Sequence, residues 1–158
     1  MRLPGNGRMI SQWPVRSAIC IDRDVVIFGA GVFPNQGTIL RAINTETGET
    51  TWQQTVSFPP QGNMLATSSR LYVPSGRTPF YTFDIETGKS LTSVGHSDSW
   101  GRDLPGGTRA VAIGDNIATG PGEDGMIHLF EKDSNESLLK TRGRDLIVDG
   151  LKSFVLIG

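Results

Sequence analysis

What most limits the possible folds of this chain is a motif that returns with its spacing intact. Ala42-x-Asn44-x-x-Thr47-Gly48-x-x-x-Trp52 comes back 40 residues later as Thr82-x-Asp84-x-x-Thr87-Gly88-x-x-x-Thr92. A degraded copy, Leu129-x-Glu131-x-x-Ser134-Asn135-x-x-x-Leu139, follows 47 residues beyond Asp84. Upstream of each copy lies a β-rich run: Val25-Val26-Ile27-Phe28, Leu71-Tyr72-Val73 and Ile117-Ala118-Thr119, starting 46 residues apart each time. A period of roughly 40 to 50 residues belongs to propeller blades or solenoids.

Within each period, short runs of Val, Ile, Thr, Tyr and Phe alternate with Gly, Asn, Asp and Pro, as strands alternate with turns, and no helical period competes. The first unit reads as strand A over Val15–Ile21, a turn at Asp22-Arg23-Asp24, strand B over Val25–Ala30, strand C over Thr38–Ile43 and strand D over Thr50–Thr55. The second reads as Asn63–Thr67, Leu71–Pro74, Tyr81–Ile85 and Ser90–Val94. The third reads as Thr108–Ile113, Ile117–Thr119, Met126–Glu131 and Ser137–Thr141. Asp145–Val148 and Phe154–Ile157 open a fourth, and Arg2 to Gly7 is read as an inter-blade connection. The expected fold is all-β: a β-propeller of four-stranded antiparallel blades, three complete (about 15–55, 63–94 and 108–141) and a fourth begun over 145–158. Residues 1–158 form one partial propeller domain on this reading. The remaining blades are then its first expected partners, because propellers close with about four to eight.

The signature sits in the C-to-D turn. Gly48 and Gly88 supply a positive φ there without a Cβ clash, and Asn135 tolerates one better than most residues. Asn44 and Asp84 offer side-chain acceptors to the turn backbone, as in Asx turns.

Lys+Arg 15 against Asp+Glu 16 leaves a net charge of −1, so no electrostatic footprint favours nucleic acid or a polybasic membrane contact. The apolar run from Val25 to Phe33 is far short of the roughly 18 residues a membrane helix needs. Cys20 is the single cysteine, which excludes an intrachain disulfide and a multi-cysteine metal site; flanked by Ile19 and Ile21, it suits a small buried hydrophobe.

The first copy of the motif closely resembles the A-x-D-x-x-T-G-x-x-x-W signature of the PQQ-like β-propeller repeat, the tryptophan-docking motif of quinoprotein alcohol dehydrogenases. It departs at Asn44, where the family favours Asp, and the aromatic survives only at Trp52. The resemblance implies that Trp52 packs between neighbouring blades. The opening segment, Gly5-Asn6-x-Arg8-x-Ile10-Ser11-x-Trp13-Pro14-Val15-Arg16-Ser17, is similar to segments of large bacterial, planctomycete-type PQQ-binding-like propeller proteins. That implies a periplasmic or other extracytoplasmic setting. A quinoprotein oxidoreductase, as the resemblance implies, would add PQQ and calcium, a catalytic Asp and an adjacent-cysteine disulfide. One cysteine cannot form that ring, so such a site would have to lie in other blades.

Other catalytic patterns fail against the chemistry they need. Gly95-His96-Ser97-Asp98-Ser99 lacks the final glycine and the strand-to-helix turn of a nucleophile elbow. Gly29-Ala30-Gly31 is followed by Pro34 where a dinucleotide fingerprint needs its third glycine. His96 and His128 show no paired ligand spacing. No catalytic, cofactor-binding or metal residue is assigned.

The topology of a four-stranded blade sends the D-to-A and B-to-C connections to one face and the A-to-B and C-to-D turns to the other. The long-loop face collects Arg8, Trp13, Phe33, Asn35, Arg77, Phe80, His96, Asp98, Trp100, Arg102 and Asp124. Aromatics and arginines anchor interfaces, and binding loops ride on rigid scaffolds. The plainer alternative is that these loops only cover blade edges. The functional expectation is a non-catalytic scaffold or binding module that takes a protein or small ligand on this face.

Overall fold

The computed structural model describes residues 2–5, 8–11, 13–75, 80–91, 110–121, 125–131, 137–149 and 152–156. Among them are fifteen strands and one 3-10 turn, Pro34–Gln36. The first pair is a hairpin, β1 (Arg2–Gly5) with β2 (Arg8–Ser11), joined across Asn6-Gly7. This corrects the expected open connection over residues 2–7: Asn-Gly between two short runs is a strong two-residue hairpin signal.

Blade 1 follows as β3 (Cys20–Asp22), β4 (Val25–Ala30), β5 (Thr38–Asn44) and β6 (Thr50–Val56), in sequential antiparallel order. Blade 2 contains β7 (Leu65–Ala66), β8 (Arg70–Val73) and β9 (Tyr81–Asp84). Its fourth strand is reduced, among the described residues, to a bridge between Phe83 and Ser90. Blade 3 has four strands: β10 (Ala110–Ile113), β11 (Asn116–Thr119), β12 (Met126–Glu131) and β13 (Ser137–Arg142). A fourth blade is present as a pair, β14 (Asp145–Asp149) with β15 (Lys152–Leu156). The protein is an all-β partial propeller. The innermost strands β3, β7 and β10 are neighbours, as strands around a common axis must be.

Strand A of blade 1 is more broken than the sequence suggests. Val15 bridges Ala30 and Cys20 pairs with Ile27, so the segment gains two residues on its partner. The extra chain turns outward, and the Ala18 N–H donates to the Gly62 carbonyl (2.8 Å) in the connection to blade 2. Ser17 stays buried, where its hydroxyl accepts the Gly29 N–H (2.7 Å). A buried N–H left by a bulge needs such a partner.

That connection, Phe58 to Gly62, is zipped to both blades. Ser17 bridges Gly62 on one side, while the Gln61 N–H donates to the Pro74 carbonyl (2.9 Å) on the other. Pro60 lies so close to Gly29 that any Cβ there would strike its ring. Phe58 stacks on Tyr81 with centroids 3.6 Å apart and planes 2° from parallel.

The cores lie between blades. Ile27, Leu40, Ala42, Trp52 and Val56 share one face of blade 1 by register, and they meet Leu71, Val73, Phe83 and Ile85 of blade 2. The other face of blade 2 presents Tyr72 to Ala110, Ile117 and Phe130 of blade 3, with Phe80 beside it. Trp52 crosses the first interface: its indole Nε1 donates to the Ile85 carbonyl (3.0 Å), and its ring lies over Gly88. A Cβ on Gly88 would sit 2.5 Å from Trp52 Cε3, whereas one on Gly48 would meet nothing within 4 Å. Both glycines have positive φ, 69° and 71°.

Three stability outcomes follow from these contacts and are read by denaturant melts. Trp52→Ala should cost about 3–5 kcal/mol, as removal of a buried large aromatic does. Gly48→Ala should cost only the left-handed backbone penalty of about 1–2 kcal/mol, and Gly88→Ala should cost clearly more, since it also expels the indole.

Candidate functional site

At one end of the blades, the signature residues build two turns with like hydrogen bonding. In the first, Asn44 Oδ1 accepts the N–H groups of Glu46 and Thr47, both at 2.9 Å. The Gly48 N–H closes on the Asn44 carbonyl (3.0 Å), and the Glu49 N–H reaches Thr47 Oγ1 (3.2 Å). In the second, Asp84 Oδ1 accepts from the Thr87 N–H (2.8 Å) and the Thr87 hydroxyl (2.6 Å). The Gly88 N–H closes on the Asp84 carbonyl (2.9 Å). Asn135 of the third copy lies outside the described residues.

Each of these two turns is tied back to the A-to-B turn of its own blade. The Thr45 N–H and hydroxyl both donate to the Asp24 carbonyl, and the Ile85 N–H donates to the Ser69 carbonyl (3.1 Å). The Ile85 peptide thus holds its own blade together through its N–H while its carbonyl receives Trp52 from the blade before. Asn44, Thr47, Gly48, Trp52, Asp84, Thr87 and Gly88 are all occupied in holding the frame. Bonding from the Thr87 hydroxyl, then from backbone N–H groups of Thr87 and Glu86, keeps the Asp84 carboxyl below the usual carboxylate range.

At the opposite end, Trp13 and the loop after β4 come together. The Pro14 carbonyl accepts the Gly31 N–H (3.0 Å), and Trp13 Nε1 lies 3.5 Å from where a Cβ on Gly37 would stand. The loop is shaped by the Pro34–Gln36 turn, closed by Gln36 N–H to Phe33 carbonyl (2.9 Å) and Gly37 N–H to Pro34 carbonyl (3.1 Å). Trp13 and Phe33 are 41% and 57% exposed. Each presents apolar surface to solvent from a hydrogen-bonded loop.

Phe80 requires a correction. It is 1% exposed and packed among Tyr72, Ile117 and Phe130, so it belongs to the core and not to the long-loop face. Blade topology places it in the B-to-C connection, but it lies directly before β9 and is buried there. Arg8 falls in β2, with its side chain undescribed. Arg77, His96, Trp100 and Arg102, with Asp98 and Asp124, lie outside the described residues. The sequence reading missed the zipped connection; its signal is the aromatic-proline-proline run Phe58-Pro59-Pro60.

Among the described residues, no group of three or more His, Cys, Asp or Glu side chains gathers to hold a metal. Cys20 is half-buried, and burial, followed by the charge of Asp22, pushes its thiol above the ordinary value. A neutral thiol is a poor nucleophile and ligand. The described residues do not fit PQQ as the resemblance implies it is held: the single cysteine cannot form the disulfide ring, and Trp52 is engaged by Gly88 against its ring and by the Ile85 carbonyl at Nε1.

No protein-family model matches the chain, and no curated protein does. Solved structures do. BamB from Moraxella catarrhalis superposes with a TM-score of 0.62 at 17% identity, over 82% of this chain and 37% of that one. The computationally designed Ika4 protein gives 0.65 at 12% identity, over 92% of this chain and 93% of Ika4. Quinohemoprotein alcohol dehydrogenase from Comamonas testosteroni gives 0.55 at 14% identity, over 83% of this chain and 21% of the enzyme. The likeness is one of fold. It is a distant resemblance to quinoprotein-type propellers, and this chain spans well under half of both BamB and the dehydrogenase.

The two turns differ in the side chain that accepts their N–H groups, the amide of Asn44 against the carboxyl of Asp84, which gives a pH test. Because the folded-state carboxyl of Asp84 titrates below its unfolded value, its stabilisation is fully present above the ordinary Asp range near 3.9 and is lost as pH falls through the folded value. Asn44 in blade 1 carries no such dependence. Acid titration followed by amide NMR should show Thr87 and Gly88 shifting at low pH while Thr47 and Gly48 stay still. Asp84→Asn should abolish the difference.

Proposed function

We propose that this chain is a non-catalytic binding or scaffold module of a larger, extracytoplasmic bacterial propeller protein, with its partner on the long-loop face. The observation that carries the reading is the division of labour between the two ends of the blades. One end spends its polar signature residues on turn hydrogen bonds and on docking Trp52. The other holds Trp13 and Phe33 exposed on loops fixed by Pro14, Pro34 and Gly37. Rigid loops that present aromatics at little entropic cost suit recognition. The fold likeness to BamB supports the extracytoplasmic setting. Arg8, Arg77, His96, Trp100 and Arg102 are proposed to extend this face.

The likeness to the quinohemoprotein dehydrogenase favours a second reading, in which the chain is part of a PQQ- and calcium-dependent oxidoreductase whose cofactor lies in other blades.

The test is quantitative capture of the bound partner by the full-length protein. Replacing Trp13 and Phe33 together by Ala should weaken capture about thirtyfold, the equivalent of roughly 2 kcal/mol from an aromatic anchor, without lowering the melting temperature. Replacing Asp22 and Asp24 on the opposite face should leave capture intact, and equal losses from both pairs would refute the face assignment. Calorimetry with PQQ and Ca²⁺ should show no saturable heat. Saturable binding with quinone-dependent alcohol oxidation would establish the second reading instead.

A further inference from the structure

The outer strand of a blade turns its free edge away from the propeller axis. Because blades stack face to face, that edge stays open however many blades stand on either side. The repeat supplies an internal comparison for what such a strand requires. β6 and β13 are both strand D, and both carry a bulge at the same place. In blade 1, Ala42 pairs with Trp52 and Ile43 with Thr50, leaving Thr51 between; in blade 3, Leu129 pairs with Leu139 and Phe130 with Ser137, leaving Leu138 between. Beyond the bulge, Gln53 and Thr55 of β6 therefore correspond to Lys140 and Arg142 of β13.

The two strands fill these positions with different chemistry. β6 is neutral: Thr51, Gln53 and Thr55 are exposed, and Gln53 Oε1 accepts the Arg41 guanidinium from the neighbouring strand (Nε at 2.8 Å). β13 places Leu138, 52% exposed, where β6 has Thr51, and exposed Lys140 and Arg142 follow. Their register partners on β12 are His128 and Met126, and the only carboxylate on either strand, Glu131, stands at the far end of β12 opposite Asn116. Arg144, exposed just past Gly143, adds a third cation. The frame of a blade needs none of this, as β6 shows. The backbone of β13 is oriented to match. The Gly143 N–H donates to the Gly125 carbonyl (3.0 Å), so by antiparallel alternation Thr141 also turns its backbone groups toward β12, and those of Lys140 and Arg142 point to the open edge. Among the described residues the sheet order ends at β13.

We infer that the outer edge of β13 receives an extended acidic segment of a partner protein as a fifth, antiparallel strand of blade 3. Main-chain bonds to Lys140 and Arg142 hold the segment, and the side chains set its sequence: carboxylates at alternate positions opposite Arg142 and Lys140, then an apolar residue against Leu138. Charge names the occupant. One lysine on an edge only repels other strands, whereas two cations at alternate positions admit an acidic strand and reject a basic one. The same charge excludes the β13 edge of a second copy. This contact lies on the rim of blade 3, so it adds to the module proposed above and does not depend on Trp13 or Phe33.

The probe is a fluorescein-labelled peptide, Thr-Glu-Val-Glu-Thr-Leu, titrated with the full-length protein and followed by fluorescence anisotropy. Binding should be saturable and should weaken as salt rises. Lys140→Glu combined with Arg142→Glu changes only exposed positions, so circular dichroism should show retained β structure while affinity falls roughly tenfold or more. A peptide with both Glu exchanged for Lys should bind that variant and not the unaltered protein. N-methylation of the two Glu residues, whose N–H groups would face the carbonyls of Lys140 and Arg142, should abolish binding. Trp13→Ala with Phe33→Ala should leave peptide affinity unchanged. No saturable binding, indifference to the charge reversal, or full binding by the N-methylated peptide, which would mean attraction by charge alone, would each overturn the inference. So would loss of binding in the Trp13 and Phe33 variant, which would move the peptide to the long-loop face.

Discussion

The indole of Trp52 lying on Gly88 is the contact on which the stacking of the first two blades depends. It reaches from the outermost strand of blade 1 to the C-to-D turn of blade 2 and places its N–H on the Ile85 carbonyl. The ring fits only because position 88 has no Cβ. Everything in the turn serves that surface: Asp84 and Thr87 fix the backbone, and the Ile85 N–H anchors the turn to the neighbouring strand connection. A local Asx turn thereby becomes half of a long-range packing contact between residues 33 apart.

The same reasoning explains why two identical glycines have different weights. Gly48 and Gly88 share a backbone conformation, so composition and spacing cannot separate them. Their surroundings do, because the surface above Gly48 is open and that above Gly88 is filled by the indole. The inner end of the first interface is secured by different means, with the Phe58–Gly62 connection bonded to Ser17 and Ala18 behind it and to Pro74 ahead of it. Aromatic docking at the rim and backbone zipping near the axis hold two blades with few strands between them.

The repeat made most of the fold legible. Strands B and C of the first and third blades match their expected ranges closely, because alternating apolar runs bounded by turn residues leave little else for such segments to be. Strand A of blade 1 is harder to read, since its bulge depends on the Gly62 carbonyl in the connection to blade 2 and not only on its own residues. The opening hairpin stands where the repeat pattern leads one to expect a connection, although Asn6-Gly7 is a hairpin signal. The candidate face was only partly legible: loop membership placed Trp13 and Phe33 together, but topology cannot say which way a loop-edge aromatic turns. Phe80, directly before β9, turns inward because Tyr72 and Phe130 offer it a buried aromatic site.

The central claim, that the missing Cβ of Gly88 matters because of Trp52, is tested most directly by a double-mutant cycle on folding free energy with Trp52→Ala and Gly88→Ala. The account predicts strong non-additivity: Gly88→Ala should lose most of its excess cost once the indole is gone, retaining only the backbone penalty seen at Gly48. The coupling should fall within the roughly 0.5–3 kcal/mol typical of residues in contact. Additive losses, with Gly88→Ala equally costly in both backgrounds, would contradict it.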